Sequence, residues 1–105
     1  MSRLNLDKTA YFTVTLSPAA VAATTTAQQT FTVNGLKTTD FITECSKPTV
    51  QAGLAVASAS VTAANQLGIV FVNVTGGAIT PTASEVYTVY AIRSDERATA
   101  SPNFI

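Results

Sequence analysis

Residues 9 to 16, TAYFTVTL, place Phe12, Val14 and Leu16 on one side of an extended chain and Tyr11, Thr13 and Thr15 on the other. A period of two in β-branched and aromatic residues marks a half-buried strand, because successive strand side chains point to opposite faces. The pattern returns several times between turn residues, and no stretch sustains a convincing helical period. A chain of this kind is expected to fold as an all-β, single-domain antiparallel β-sandwich or small β-barrel of about six to eight strands.

Ser17 and Pro18 end the first strand, and AAVAATTTA reads mostly as loop, since three consecutive Thr oppose a helix. QQTFTVNGL resumes the alternation with Phe31 and Val33 inward, and Asn34-Gly35 supplies a tight turn that either closes a hairpin or redirects the chain. Residues 40 to 46 are expected as a third strand, ended by Lys47-Pro48. GLAVASASV alternates Leu54, Val56, Ser58 and Ser60 with Ala55, Ala57, Ala59 and Val61; an Ala-rich helix through VTAANQ is the alternative, weakened by Gly53 and the Ser and Val content. TAANQLG, residues 62 to 68, reads as a turn, and IVFVNVT as a central strand with both faces covered. Residues 75 to 85 hold Gly76, Gly77 and Pro81 and form a loop, and VYTVYAIR is a second central strand. The domain is expected over 9–93, with extended arms at 1–8 and 94–105; strand order does not follow from these patterns.

Charge is scarce. Of 105 residues, 47% are hydrophobic and 11% charged, against roughly 25% charged in an average domain. Formal net charge is zero, so no basic field exists to attract nucleic acid or an anionic membrane, and little repulsion keeps copies apart. Between Lys47 and Glu85 there is no charged residue at all. Burial accounts for the apolar strand inside that run. The Ala/Ser strand from Leu54 to Val61 and the loop from Thr75 to Thr82 should reach the surface, and another subunit is expected there.

The residue inventory argues against an enzyme. There is no His, which excludes Ser-His-Asp and Cys-His triads and a side chain tuned near neutral pH. Asp40 and Glu44 lie four apart on one strand and are expected as solvated edge residues. Cys45 is the only cysteine, so no intrachain disulfide or CxxC site can form, and a buried, inert thiol is expected. Zinc lacks its usual ligands, no EF-hand loop is present, and TGGA is not followed by the Lys of a phosphate cradle. No catalytic residue, cofactor or metal is therefore assigned. Asn73-Val74-Thr75 matches a glycosylation acceptor by coincidence, and Tyr11, Tyr87 and Tyr90 are expected in core or interface packing. With no apolar h-region near the start and no apolar run of about 18 residues, the product is expected to be cytoplasmic when made.

The series TFTVNGL, DFITECSKP, QAGLAVASASV, TAANQLGIVFVNVTGGAITP and EVYTVYAI resembles a pattern of small virion proteins of tailed bacteriophages, most of all head decoration or cement proteins. It covers roughly residues 27 to 92. In its most distinctive part, NQLGIVFVNVTGGAITP, the residues Asn65, Ile69, Phe71, Asn73, Thr75, Gly76, Gly77 and Pro81 fall in register. The Arg that the pattern often carries near Ser60 is absent.

The resemblance implies a non-enzymatic structural protein on the capsid surface of the virion. Its expected partners are the major capsid protein and copies of itself, a trimer being the expected symmetry, with no nucleic acid and no membrane. Expected interface residues are Leu4 and Leu6 in the N-terminal arm, Ala57, the loop residues Gly76, Gly77, Ala78 and Pro81, and Phe104 and Ile105 in the C-terminal arm. A tail, neck or fibre component with the same sandwich, and a carbohydrate-binding sandwich using Tyr and Asn on a sheet face, are the alternative functions.

Overall fold

A computed structural model of the chain describes residues 7–94. Six strands follow one another: β1 (Asp7–Leu16), β2 (Thr25–Thr32), β3 (Phe41–Ser46), β4 (Leu54–Ala63), β5 (Gln66–Asn73) and β6 (Glu85–Ser94). They form two three-stranded antiparallel sheets, ordered β1-β6-β3 and β2-β5-β4. The chain is an all-β sandwich, with no helix among the described residues, and the Ala-rich segment expected as either strand or helix is strand β4.

β5 and β6 are the central strands, as their apolar runs suggested, and their inward side chains make the middle of the core. Leu67, Ile69 and Phe71 from β5 meet Tyr87, Val89 and Ala91 from β6, all at most 2% exposed. Phe12, Val14 and Leu16 of β1 join from one sheet, and Phe31 of β2 from the other. Fully burying a side chain of this size stabilises by roughly 1.5–3 kcal/mol, so this layer outweighs any single polar contact.

Several local expectations are corrected. The strand expected to begin at Gln28 begins at Thr25. The turn expected over 62–68 shrinks to Ala64 and Asn65, because Ala63 already pairs with Gln66 and Asn65 takes the positive φ of 61° itself. Asn34-Gly35 closes no hairpin: it redirects the chain from β2 in one sheet to β3 in the other, with Gly35 at φ 101°. β5 is fully covered on its inner face and only partly on its outer one, where Gly68 is buried and Val70 and Val72 are half-buried. In β4 the pairing shifts between Val56 and Ser58, so Ala57 is the extra residue of a bulge. That bulge turns Leu54, Val56, Ala59 and Val61 to the same inner side, a set no strict alternation predicts.

Asp40 is not a solvated edge residue. Its side chain is 2% exposed, and Arg93 grips it with Nε 2.8 Å from Oδ1 and Nη2 2.6 Å from Oδ2. The Lys37 amide donates to the same carboxylate at 3.0 Å, and Arg93 Nη2 donates to the Gly35 carbonyl at 2.7 Å. These bonds fasten the 33–40 crossover to the end of β6, and the Arg93 side chain holds the Asp40 carboxyl below its ordinary pKa range.

Candidate assembly surface

The described chain segregates its charge by sheet. Asp7, Lys8, Lys37, Asp40, Glu44, Lys47, Glu85 and Arg93 all lie in β1, β3 and β6 or in the loops flanking β3. The sheet β2-β5-β4 carries none. Its solvent face is built from Thr26, Gln28, Thr30 and Thr32 of β2, Val70 and Val72 of β5, and Ala55, Ser58 and Ser60 of β4. In register across the three strands these pair as Thr26–Val72–Ala55, Gln28–Val70–Ser58 and Thr30–Gly68–Ser60. The result is a field of mostly short methyl and hydroxyl side chains with the Gln28 amide among them, which another surface can approach without desolvating a charge.

Ala57 is exposed on β4, as are Gly76, Gly77 and Ala78 in the loop beyond β5. The two segments adjoin at one end of the uncharged sheet, because the loop is tied to the residues that lead into β4. Gln51 donates to the Thr80 carbonyl and accepts from the Thr82 amide at 3.0 and 2.9 Å, and the Val74 amide donates to the Gly53 carbonyl at 2.9 Å. Pro81 departs from the expected set: it is fully buried beneath the loop, so it shapes the surface from below and contacts nothing outside. Leu4, Leu6, Phe104 and Ile105 lie outside the described residues.

The NVTGG motif proves to be the lock that holds this loop. Asn73 is 1% exposed. Its Nδ2 donates to the carbonyls of Val21 and Gly77 at 3.0 and 2.9 Å, while Oδ1 accepts from the Thr75 amide at 2.8 Å and the Thr75 hydroxyl at 2.7 Å. All four bonding positions of the amide are used, which explains an Asn inside a core strand. An acceptor for glycosylation needs a free Nδ2, and this one is engaged twice.

A second surface lies on the other sheet, where two of the three Tyr singled out in the sequence meet. On the solvent face of β1-β6-β3, Tyr11 and Tyr90 pair across the strands with ring centroids 4.8 Å apart, 62% and 41% exposed. Phe41 pairs with Ile92 beside them and is also largely exposed. Only register could reveal this, since the three aromatic residues come from three different strands. Tyr87 is the opposite case, wholly buried with its hydroxyl unpartnered among the described residues and pushed up to about 12 by burial.

Cys45 is half-buried, and burial pushes its thiol up to about 11, leaving little thiolate at neutral pH. Lys47 and Glu85 are paired at 3.1 Å with under a tenth of either side chain exposed. Lys47 Nζ also donates to the Thr49 carbonyl and hydroxyl, and Thr49 donates to the other Glu85 oxygen, so the three side chains form one network. No group of three or more metal-ligating side chains occurs among the described residues, and no helix there is long and apolar enough to cross a membrane.

No protein-family model matches the sequence, and no curated protein or solved structure matches it.

Proposed function

We propose that this protein is a capsid decoration, or cement, protein of a tailed bacteriophage, which binds the assembled head and stabilises contacts between capsomers. The observation that carries the reading is the charge-free sheet β2-β5-β4, with half-exposed Val70 and Val72 at its centre and the uncharged loop 75–82 at its end. Such a face suits a permanent protein partner better than water. The sequence resemblance over residues 27 to 92 supplies the identity of that partner, the major capsid protein. The mechanism is added interface: many copies that bind the shell and not its separated subunits stabilise the shell by mass action.

Separated heads and tails from purified particles test the reading. The protein is expected in the head fraction, and heads lacking it should bind the purified chain to saturation and resist heat better afterwards. A tail-only location overturns the decoration role in favour of a tail or neck component.

The exposed Tyr11–Tyr90 pair supports a second reading, because paired aromatic rings on a sheet face can stack on the apolar faces of sugars. Glycan-array binding by the purified chain, abolished by Tyr90→Ala, would establish that reading in place of the first.

A further inference from the structure

The four edges of the sandwich are not equivalent. β3 and β4 approach each other along one side, and both are irregular: the pairing of β3 shifts between Ile42 and Glu44, and that of β4 shifts at Ala57 and again at Thr62. Bulges of this kind twist an edge and spoil it as a template for another strand. On the other side, β1 and β2 stay further apart and both are regular throughout. From Thr9 to Leu16 and from Thr25 to Thr32 neither carries a charge, a Gly or a Pro. The edges that meet each other are guarded, whereas the outward edges are regular and, over these residues, uncharged.

Between these outward edges the core is incompletely closed. Phe12, Val14, Phe31 and Val33 are only partly buried against it. A groove of about 620 Å³ opens beside β1, between that strand and the crossover that follows β2; it is lined by Phe12, Val33, Leu36 and Ala91, and the Arg93–Asp40 pair borders it.

We propose that β1 pairs antiparallel with β1 of a second copy of this chain, about a two-fold axis at Thr13. The sequence of β1 is complementary to itself about that residue. Phe12 faces the partner's Val14 and Leu16 faces the partner's Ala10 on the inner side, while Tyr11 faces the partner's Thr15 and Thr13 its own copy on the outer side. Aromatic with β-branched, Thr with Thr and large with small are the cross-strand pairs that stabilise an antiparallel ladder. Shifting the axis to Phe12 sets Leu16 opposite Lys8 and loses this match. Moving it by half a step turns inner side chains to the outer face.

The same two-fold brings the β2 edges toward each other and closes both grooves. Eight residues of strand span about 27 Å, and two sheets about 10 Å apart with their side chains make a slab roughly 20 Å thick. That gives on the order of 1,100 Å² over both partners before surface roughness, which reaches the lower range of specific interfaces. A chain of zero net charge adds no long-range repulsion. The pairing stands whether or not the decoration reading holds, since it uses the edges and leaves the outer face of β2-β5-β4 free. It gives two-fold rather than three-fold order.

Sedimentation velocity on the full chain at micromolar concentration tests the pairing. Wild type is expected at twice the 10.9 kDa chain mass. Thr13 is exposed, so Thr13→Lys and Thr13→Glu should each leave the circular dichroism of the fold intact, weaken self-association at least tenfold and restore dimers when mixed in equal amounts. A monomeric or trimeric wild type, or dimers undisturbed in both variants, overturns the proposal. Should either charged variant fail to fold, Thr13→Cys decides instead: mild oxidation should link it to itself, and an unlinked product overturns the pairing. Val50→Cys, placed at a position 96% exposed away from the edge, serves as the unlinked control.

Discussion

Asn73→Ala removes four hydrogen bonds from the end of β5, and its cost can be worked from what each partner keeps. The Val21 carbonyl still accepts from the Ile79 amide at 3.0 Å, and the Thr75 hydroxyl, released from Oδ1, can turn its one proton to the Gly77 carbonyl 2.9 Å away. The Thr75 amide has no other acceptor in the described chain. One orphaned amide costs about 1–3 kcal/mol and each lost neutral bond about 1 kcal/mol, with the two retained acceptors recovering part. The sum is about 3 kcal/mol. With an unfolding entropy of about 2.1 cal/mol/K per residue, a chain of this length should lose roughly 13 °C in Tm by calorimetry. Asn73→Asp sharpens the test. It keeps Oδ1 but turns a second oxygen toward two carbonyls, so the buried carboxyl must be protonated to stay, and its folded pKa rises above its unfolded value. Stability is then retained below the unfolded pKa and lost as pH rises through the folded one, so the variant should be much weaker at pH 7 than at pH 4. A loss under 1 kcal/mol for Asn73→Ala, or an Asn73→Asp variant indifferent to pH, would refute the view that this amide organises the loop.

Other outcomes follow from the same contacts. Gly53 has φ 82°, and an added Cβ would overlap the Thr75 methyl, so Gly53→Ala should cost about 2 kcal/mol or more by urea denaturation. Asp40 and Glu85 are both held below their ordinary pKa, by Arg93 and by Thr49 with Lys47 respectively; their contribution is present above the unfolded pKa of about 4 and fades as pH falls through the folded values. An Asp40→Asn, Glu85→Gln pair should flatten that acid limb in a pH series of thermal melts. With its thiol near 11, Cys45 should react with a disulfide reagent at pH 8 roughly a hundredfold slower than a free cysteine, until urea opens the fold.

Much of the architecture was legible because period two survives in β1 and β6, and because β5 and β6 are too apolar to lie at an edge. What escaped did so for identifiable reasons. A bulge adds one residue without changing composition, so the inner set Leu54, Val56, Ala59 and Val61 could not be read from alternation. Asp40 and Arg93 are 53 positions apart, and only the β3–β6 pairing brings them together. Pro81 sits in a loop by every local signal, yet is buried. The uncharged run from Pro48 to Ser84 was visible at once. Its continuation onto β2 was not, because β2 enters the same sheet from the other side of β5.

The charge-free face of β2-β5-β4 is proposed as the side that meets the shell. Thr30 is exposed on that face, Ala78 in the loop at its end and Ala57 at the bulge on its β4 edge, so Thr30→Lys, Ala57→Lys and Ala78→Lys should fold with wild-type thermal stability within a few degrees. Copies bound per head, counted after adding each protein to heads that lack it, give the direct measure. Wild type should saturate the heads and each variant should lose at least tenfold in affinity; wild-type occupancy by all three would overturn the placement.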